Sequence, residues 1–269
     1  MQQRERHEPK LTFLPSLTPL SYLESGFACI QHQNQLYQIR KLDEMDDARH
    51  TAYQQLRGDI FVRSLGWSLP IDELDREKDQ YDELKSPWIN THCVFISGSE
   101  QEENLLGGVR VFELSDWGQS MTFNEFRLKG MIPDSALEVL QNTYQVRNMI
   151  ELTRLCVVRN KKRISLDTSL VDFTAVRDYV YSCAYVHAEK VQCRYALAIV
   201  DYAYYVVCKR SKFIFDELYT RFERHQKGGY ALIVIDLSAT IMAIQSAGDY
   251  ERAQRMVQLC QNPSLFLKG

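Results

Sequence analysis

The chain has 269 residues, of which 45% are hydrophobic and 25% charged, a composition typical of a globular protein with a sizeable core. The formal net charge of -3 disfavours a global attraction to nucleic acid or to acidic membranes. Any strongly charged partner must therefore meet a local patch.

The N-terminal residues 1–33 are predicted to form an irregular extension before a single domain that spans residues 34–269. Pro15, Pro19 and Glu24 interrupt the extension where a signal peptide would need an apolar run. No stretch of the chain approaches the roughly 20 apolar residues of a membrane span. The seven cysteines include no Cys-x-x-Cys pair, which disfavours a zinc site and fits a reducing compartment. We expect a cytoplasmic protein without membrane insertion.

The first half of the domain alternates strand and helix patterns. QLYQIRKL (35–42) predicts a strand, and residues 43–66 have helical spacing with Asp43 as a plausible N-cap. An acidic segment follows this helix. HCVFISG (92–98) and LLGGVRVFEL (105–114) then predict a β-hairpin.

The second half continues in the same mixed manner. Residues 115–145 suggest packed loops and a short helix, and MIELTRLCVV (149–158) predicts a buried strand. The later predicted elements are a helix over 167–190 capped by Asp167, a strand over 194–202, a helix over 204–210, a strand over 230–237 and a helix over 249–260. Because no linker separates these elements, we predict one α/β domain with a central mixed sheet.

Three ionisable residues stand inside the apolar strands, namely Arg110, Glu151 and Arg154. On a regular strand Glu151 and Arg154 point to opposite faces, unless a bulge or a strand end intervenes. Such residues are either solvated at a sheet edge or line a cleft in which partners satisfy their charge. Both interpretations remain open from the sequence.

The segment after the first helix combines carboxylates with aromatic residues. Glu77, Asp79 and Asp82 lie two and three positions apart, and Trp67 precedes them. A charge run of this kind is most often a solvated loop. The alternative is a lid that surrounds a cationic ligand with carboxylates and aromatic rings.

Taken in chain order, these positions resemble the LuxI-type acyl-homoserine lactone synthases. The spacings Arg-x3-Phe-x5-Trp, Glu-x-Asp-x-x-Asp and Glu-x-x-Arg are intact at Arg57, Phe61, Trp67, Glu77, Asp79, Asp82, Glu151 and Arg154, and Arg110 follows a Gly-Gly pair. The resemblance covers roughly residues 35–240. It implies a GNAT-like three-layer α/β/α sandwich, whose mixed sheet is splayed around a V-shaped cleft for a pantetheine thioester.

The resemblance also implies an activity. Acyl carrier protein would deliver a fatty acyl chain on its phosphopantetheine, and the amine of S-adenosylmethionine would attack the thioester. The acylated product would cyclise to an acyl-homoserine lactone and release methylthioadenosine. No metal and no cofactor beyond these substrates is expected.

The implied roles fall into two groups. Glu77 and Glu151 are the two candidate bases for the substrate amine, with Arg154 beside them. The substrate-binding residues would be Arg57, Phe61, Trp67, Asp79, Asp82, Arg110 and Phe123, with Trp67 facing the sulfonium and Phe123 in an apolar tunnel with residues such as Phe126 and Tyr204. The sequence leaves acyl length and oxidation at the third carbon open.

A basic run at the end of the strand over 149–158 consists of Arg159, Lys161, Lys162 and Arg163. It is either a solvated connector or a docking site for an acidic carrier protein.

Two rival functions remain. One is an N-acyl amino acid synthase that uses a free amino acid, and the other is a non-catalytic binding protein on the same scaffold.

Overall fold

The computed structural model describes residues 27–32, 35–42, 47–83, 86–97, 103–158, 171–222 and 229–261. Within these ranges, eight strands form one sheet in the order β1-β2-β3-β4-β5-β6-β8-β7. The strands are β1 Phe27–His32, β2 Gln35–Leu42, β3 Ile89–Ser97, β4 Glu103–Glu113, β5 Met149–Val157, β6 Tyr195–Asp201, β7 Phe215–Arg221 and β8 Tyr230–Asp236. Neighbours are antiparallel except β5 and β6, which are parallel, so the sheet is mixed.

The helices lie between the strands. They are α1 Asp47–Arg57, α2 Gln80–Glu83, α3 Asp134–Thr143, α4 Phe173–Lys190, α5 Tyr202–Arg210, α6 Leu237–Ser246 and α7 Tyr250–Gln261. Helix α1 continues directly into a π-helix, Gly58–Ser64, and a second π-helix spans Thr122–Arg127. Single 3-10 turns occur at Trp117–Gln119 and Val146–Asn148.

Helices cover both faces of the sheet. Gly107 and Gly108 are consecutive residues of β4 and therefore face opposite sides. A Cβ at Gly107 would lie 3.2 Å from Val180 of α4, whereas one at Gly108 would lie 2.7 Å from the Tyr53 ring of α1. The predicted three-layer α/β/α sandwich with a mixed sheet is confirmed.

The sheet is splayed between β5 and β6. These strands pair over Met149–Leu152 and Tyr195–Ala198, and the pairing ends there. On its other side β5 carries one extra residue opposite β4, because Gly108 pairs with Cys156 but Arg110 pairs with Thr153. Arg154 lies in this bulge with φ 53, in the left-handed region. The bulge is the exception to strand alternation that the sequence left open.

Several predicted elements are confirmed, and others need correction. The strand over 35–42, the β3–β4 hairpin and the strands near 149–158, 194–202 and 230–237 are present. Part of the predicted irregular extension is ordered, because Phe27–His32 pairs with β2 and buries Ala28 and Ile30. The edge strand β7 and helix α6 were not predicted.

The two predicted helix caps fare differently. Helix α4 begins at Phe173, and the Asp172 side chain accepts hydrogen bonds from the amides of Thr174 and Ala175. Asp172 is thus the N-cap, and the prediction of Asp167 was wrong. Asp43 and Asp167 themselves lie outside the described residues.

Candidate functional site

Three arginines and three carboxylates form a closed ring of ion pairs beneath the acidic loop, residues 65–79, which joins the first π-helix to α2. The arginines come from α1, β4 and β5, and the carboxylates come from the loop and helix α2. In order around the ring the six residues are Glu77, Arg57, Asp82, Arg110, Asp79 and Arg154. Each side chain exposes at most 9% of its surface. The ring carries three positive and three negative charges and is therefore neutral.

Arg57 bridges Glu77 and Asp82, two of the three carboxylates of the ring. Its Nε lies 2.6 Å from Glu77 Oε2. Its Nη1 and Nη2 donate to the two oxygens of Asp82 at 2.8 and 2.5 Å, a bidentate pair. Arg57 also donates to the backbone carbonyl of Glu77.

The other two arginines share Asp79. Arg110 Nη1 lies 2.9 Å from both Asp79 oxygens, and its Nη2 lies 2.5 Å from Asp82 Oδ1. Arg154 Nη2 lies 3.0 Å from Asp79 Oδ2 and 2.8 Å from Glu77 Oε1. Each carboxylate is thus held by two guanidinium groups, which offsets the cost of burying the charges.

The surrounding arginines decide the ionisation of two of the carboxylates. Burial alone would raise the pKa of Asp82, but hydrogen bonds from Arg57 and the charge of Arg110 outweigh it and hold that pKa well below its usual range. Burial likewise opposes the charges of Arg110 and Arg154 at Asp79, and the net effect lowers the pKa of Asp79. Both residues are ionised near neutral pH.

A close backbone contact fixes the loop against helix α1. A Cβ at Gly58 would lie 2.2 Å from the carbonyl oxygen of Asp75, a distance at which no side chain fits. The amide of Glu77 donates to the carbonyl of Gln54 at 3.0 Å. Glycine at 58, an unfavourable residue inside a helix, is therefore explained by the approach of the loop.

A cavity of about 300 Å³ lies where β5 and β6 separate. Phe61 and Trp67 line it from the α1 side, with ring centroids 5.4 Å apart, and Glu151 and Arg154 line it from β5. The Arg154 guanidinium carbon lies 6.0 Å from the centroid of the Phe61 ring. Arg154 is thus the residue that belongs to both the ring and the cavity wall.

Glu151 does not join the ring; it contacts the start of the second π-helix. Its Oε2 accepts from the Met121 amide at 2.8 Å, and its Oε1 accepts from the amide and hydroxyl of Thr122 at 2.9 and 2.6 Å. Burial raises the pKa of Glu151, and hydrogen bonds from Thr122, Ser120 and Met121 oppose the rise without cancelling it. The raised pKa brings this carboxylate closer to the range in which a general base acts near neutral pH.

Tyr53 supports the bulge in β5. Its hydroxyl donates to the carbonyl of Arg154 at 2.7 Å, and its ring packs where Gly108 has no side chain. The Arg57 guanidinium carbon lies 5.2 Å from the centroid of the same ring. Tyr53 therefore connects the ring of ion pairs to Arg154, whose strained backbone lies where the cleft opens.

Tyr53→Phe is expected to cost about 1–3 kcal/mol of unfolding free energy, because the buried carbonyl of Arg154 loses its donor. We further expect kcat to fall by more than the loss of folded protein explains, because Arg154 is held less firmly in position. Chemical denaturation and steady-state kinetics on the same preparations would check this. Tyr81→Phe, another buried tyrosine on the loop side, serves as the control, and equal kinetic losses in both variants would refute a specific role for Tyr53.

The remaining predicted residues lie elsewhere. Phe123 is not among the cavity-lining residues; its ring packs on Trp117 with centroids 5.1 Å apart, and Phe126 lines the cavity instead. Phe123 projects from a π-helix whose other side faces the cavity, which the sequence spacing did not reveal. Glu77 is fully buried in the ring and does not line the cavity. Arg159, Lys161, Lys162 and Arg163 lie outside the described residues.

Sequence reasoning missed three contributors to the site. Tyr53 could have been found, because it lies four residues before Arg57 on the same helix face. Met121 and Thr122 gave no signal, since backbone amides look alike in any sequence.

In the described part of the chain, no three His, Cys, Asp or Glu side chains are grouped so as to hold a metal ion. The described helices also include none long and apolar enough to span a bilayer.

Three solved synthase structures superpose on the chain at low sequence identity. The AHL synthase LasI matches with a TM-score of 0.55 and 16% identity, over 79% of this chain and 95% of LasI. The CoA-dependent acyl-homoserine lactone synthase BjaI, with SAM and isopentyl-CoA, matches with a TM-score of 0.51 and 15% identity, over 76% of this chain and 84% of BjaI. FeeM, an N-acyl amino acid synthase from uncultured soil microbes, matches with 0.51 and 11%, over 80% and 98%.

The chain has the fold of these synthases. No protein-family model matches it, and no curated protein matches it by sequence. Since a shared fold does not establish a shared reaction, the function of this chain must be argued from the residues of its own site.

Proposed function

We propose that the chain transfers an acyl group from a pantetheine thioester to the amine of S-adenosylmethionine, and that the product cyclises to an acyl-homoserine lactone. The observation that carries this proposal is the cavity in the splayed sheet, where a buried carboxylate, an arginine and two aromatic rings meet. Beyond Leu152, β5 has no pairing with β6 in the described residues, which leaves its backbone groups available to an extended amide chain such as pantetheine.

In the proposed reaction Glu151 takes a proton from the ammonium of the acceptor. The neutral amine attacks the thioester carbonyl, a C–N bond forms, and the C–S bond breaks. The leaving thiolate takes up a proton, which Glu151 can return. The acceptor carboxylate then displaces methylthioadenosine from its own side chain and closes the lactone. Most of the rate enhancement would come from holding amine and thioester in contact, because no covalent intermediate is needed.

Of the two candidate bases, the geometry favours Glu151. It lines the cavity, and its pKa is raised. Glu77 is surrounded by Arg57 and Arg154 within the ring. We assign Glu77 the role of holding Arg154 in position.

The neutral ring changes how a sulfonium would be recognised. Asp79 and Asp82 are each paired with two arginines, so they have little net negative charge to offer a cation. Recognition of the sulfonium then falls to the faces of Trp67 and Phe61, by cation–π contact. The sequence-based interpretation of carboxylates pairing directly with the sulfonium is therefore replaced.

The same neutrality supports the rival function, an N-acyl amino acid synthase, which needs no sulfonium site. The similarity of the fold to FeeM adds to this alternative. Mass spectrometry of organic extracts from cells that express the chain separates the two. A lactone together with methylthioadenosine supports the proposed function, and a linear N-acyl amino acid supports the rival. If folded protein that consumes an acyl thioester yields neither product, both functions are refuted.

The acyl donor is proposed to be acyl carrier protein, docked on the basic run. The double variant Lys161→Glu/Lys162→Glu is expected to lower the association rate with acyl carrier protein about tenfold or more at low salt, because electrostatic steering acts mainly on that rate. Stopped-flow binding across a salt series would measure it, with exposed Lys129 reversed as the control. A salt dependence equal to that of the wild type would exclude this docking site.

A further inference from the structure

The wall of the cavity carries an arginine for which the proposed reaction has no use. Phe173 and Arg177 are four residues apart on α4, share one helix face, and both line the cavity. Tyr204 and Val207 of α5 line it as well. Asp201 also lines the cavity, but it is the N-cap of α5, and its Oδ1 accepts from the Tyr204 amide. Most of the remaining lining residues are apolar, as an acyl tunnel requires, so a guanidinium in the wall needs an explanation.

Arg177 belongs to a cluster with an excess of positive charge. The buried carboxylate of Asp178 meets three guanidinium groups, from Arg252 Nε at 3.2 Å, Arg255 Nε at 3.2 Å and Arg177 Nη2 at 3.3 Å. Arg255 also approaches the exposed Glu251 at 3.9 Å. The ring beneath the acidic loop matches three arginines with three carboxylates. Here three arginines share one buried carboxylate.

Arg252 and Arg255 already explain what Asp178 does for the fold. They lie on α7 and contact one carboxylate oxygen each, so they join α7 to α4. Arg252 also donates to the carbonyl of Ser211 at 2.8 Å. Arg177 contacts the oxygen that Arg252 occupies, at the longest of the three distances. The α4–α7 contact therefore does not depend on Arg177.

Arg177 retains an unused donor next to the cavity. Its Nε is buried and has no hydrogen-bond partner, and the same holds for Arg252 Nη2. A buried donor without a partner is costly, and for a charged group the cost is larger. A guanidinium with free N–H groups and surplus charge is suited to bind a carboxylate or a phosphate.

We propose that Arg177 binds an anionic group of the acyl donor in the cavity. The inference rests on the proposed acyl transfer, and it adds a determinant of donor choice. The anion has two possible sources, the phosphate of the pantetheine arm or a carboxylate carried by the acyl chain itself. Both offer the same chemistry to the guanidinium, and synthetic donors can separate them.

Four donors test the proposal in full-length protein: hexanoyl and adipoyl thioesters, each of pantetheine and of phosphopantetheine. The wild type is expected to prefer one anionic donor over its neutral match by about tenfold to hundredfold in kcat/KM, as hydrogen bonds to charged groups allow. Arg177→Met should bring that ratio close to one. Loss of the phosphate preference identifies the pantetheine arm, and loss of the carboxylate preference identifies the acyl chain.

Arg255→Met is the matched control, because Arg255 contacts the same carboxylate but does not line the cavity. It should keep the wild-type ratio. The proposal is overturned if the wild type shows neither preference, or if Arg177→Met retains whichever preference exists.

Each of the four donors can be replaced by a thioether analogue that cannot react. Measuring the binding of these analogues by calorimetry keeps the test separate from the proposed reaction. If the wild type turns over none of the donors, the proposed function fails, while the binding ratios still decide the role of Arg177. A preference in binding that disappears in Arg177→Met supports the anion site. One that persists in this variant, or is absent from the wild type, refutes it.

Discussion

Glu151→Gln is expected to lower kcat/KM for acyl transfer by about 10²- to 10⁴-fold, the usual contribution of a general base. The amide keeps the shape of the side chain but cannot take a proton from the substrate amine. One of the hydrogen bonds from Met121 and Thr122 is lost as well, which should cost about 1–3 kcal/mol of stability. Circular dichroism would show that the protein remains folded while turnover is lost.

Thr122→Ala distinguishes proton transfer by Glu151 from the role of this side chain in anchoring the π-helix. This variant keeps the carboxyl group but removes the hydroxyl that donates to Oε1 at 2.6 Å. If Glu151 served only to anchor the π-helix, the two variants would lose similar activity. A far larger loss in Glu151→Gln identifies the proton acceptor, and undiminished turnover in that variant removes Glu151 from the mechanism.

The raised pKa of Glu151 gives this prediction a pH dependence. The base must be ionised to act, so kcat/KM should rise with pH through a midpoint above 4.5, the ordinary value for a glutamate. The Thr122 hydroxyl lowers the pKa by favouring the charged form. Thr122→Ala should therefore move the midpoint upward, and a shift downward would contradict the assignment.

Arg57→Met is expected to lower the free energy of unfolding by about 3–5 kcal/mol, the usual cost of removing one partner from a buried ion pair. Glu77 would lose its 2.6 Å contact and Asp82 its bidentate partner, and both would remain buried. Urea denaturation followed by circular dichroism would measure the change. The loop should stay in place, because Gly58 and Gln54 still contact its backbone and Arg110 and Arg154 still hold its carboxylates.

Arg63→Met provides the control from the adjoining π-helix. Arg63 pairs with Asp59 and Asp75, but its side chain is 43% exposed, so its loss should change stability far less than the loss of Arg57. Equal unfolding midpoints for the two variants would show that the ring does not support the fold.

Acid should weaken the ring in a defined direction. The folded-state pKa values of Asp79 and Asp82 lie below the ordinary 3.8, so folding favours their ionised forms. Their contribution to stability is present above that ordinary value and is lost as the pH falls below it. Arg57→Met should flatten the acid side of the stability profile, and this can be measured by thermal unfolding between pH 2 and 7.

Local chain geometry explains why much of the fold could be predicted. The β3–β4 hairpin and strand β5 follow from alternating or continuous apolar runs over a few residues. The edge strand β7 could not be predicted in this way, because FDELYTR contains four polar residues and, within the described residues, pairs only with β8. Strand β1 has only a short apolar run, FACI, and depends on its pairing with β2. Asp172 rather than Asp167 caps α4, a choice between two equally suitable residue types.

By itself the sequence determined which residues are candidates for the site, since the spacings around Arg57, Glu77 and Glu151 are properties of the chain alone. The tertiary structure decided which of them meet. Arg154 reaches Glu77 across 77 positions and Arg110 reaches Asp79 across 31, whereas Glu151 stays outside the ring. Periodicity acts over a few residues, but pairing between distant charges depends on how the sheet, the bulge in β5 and the loop on Gly58 pack together.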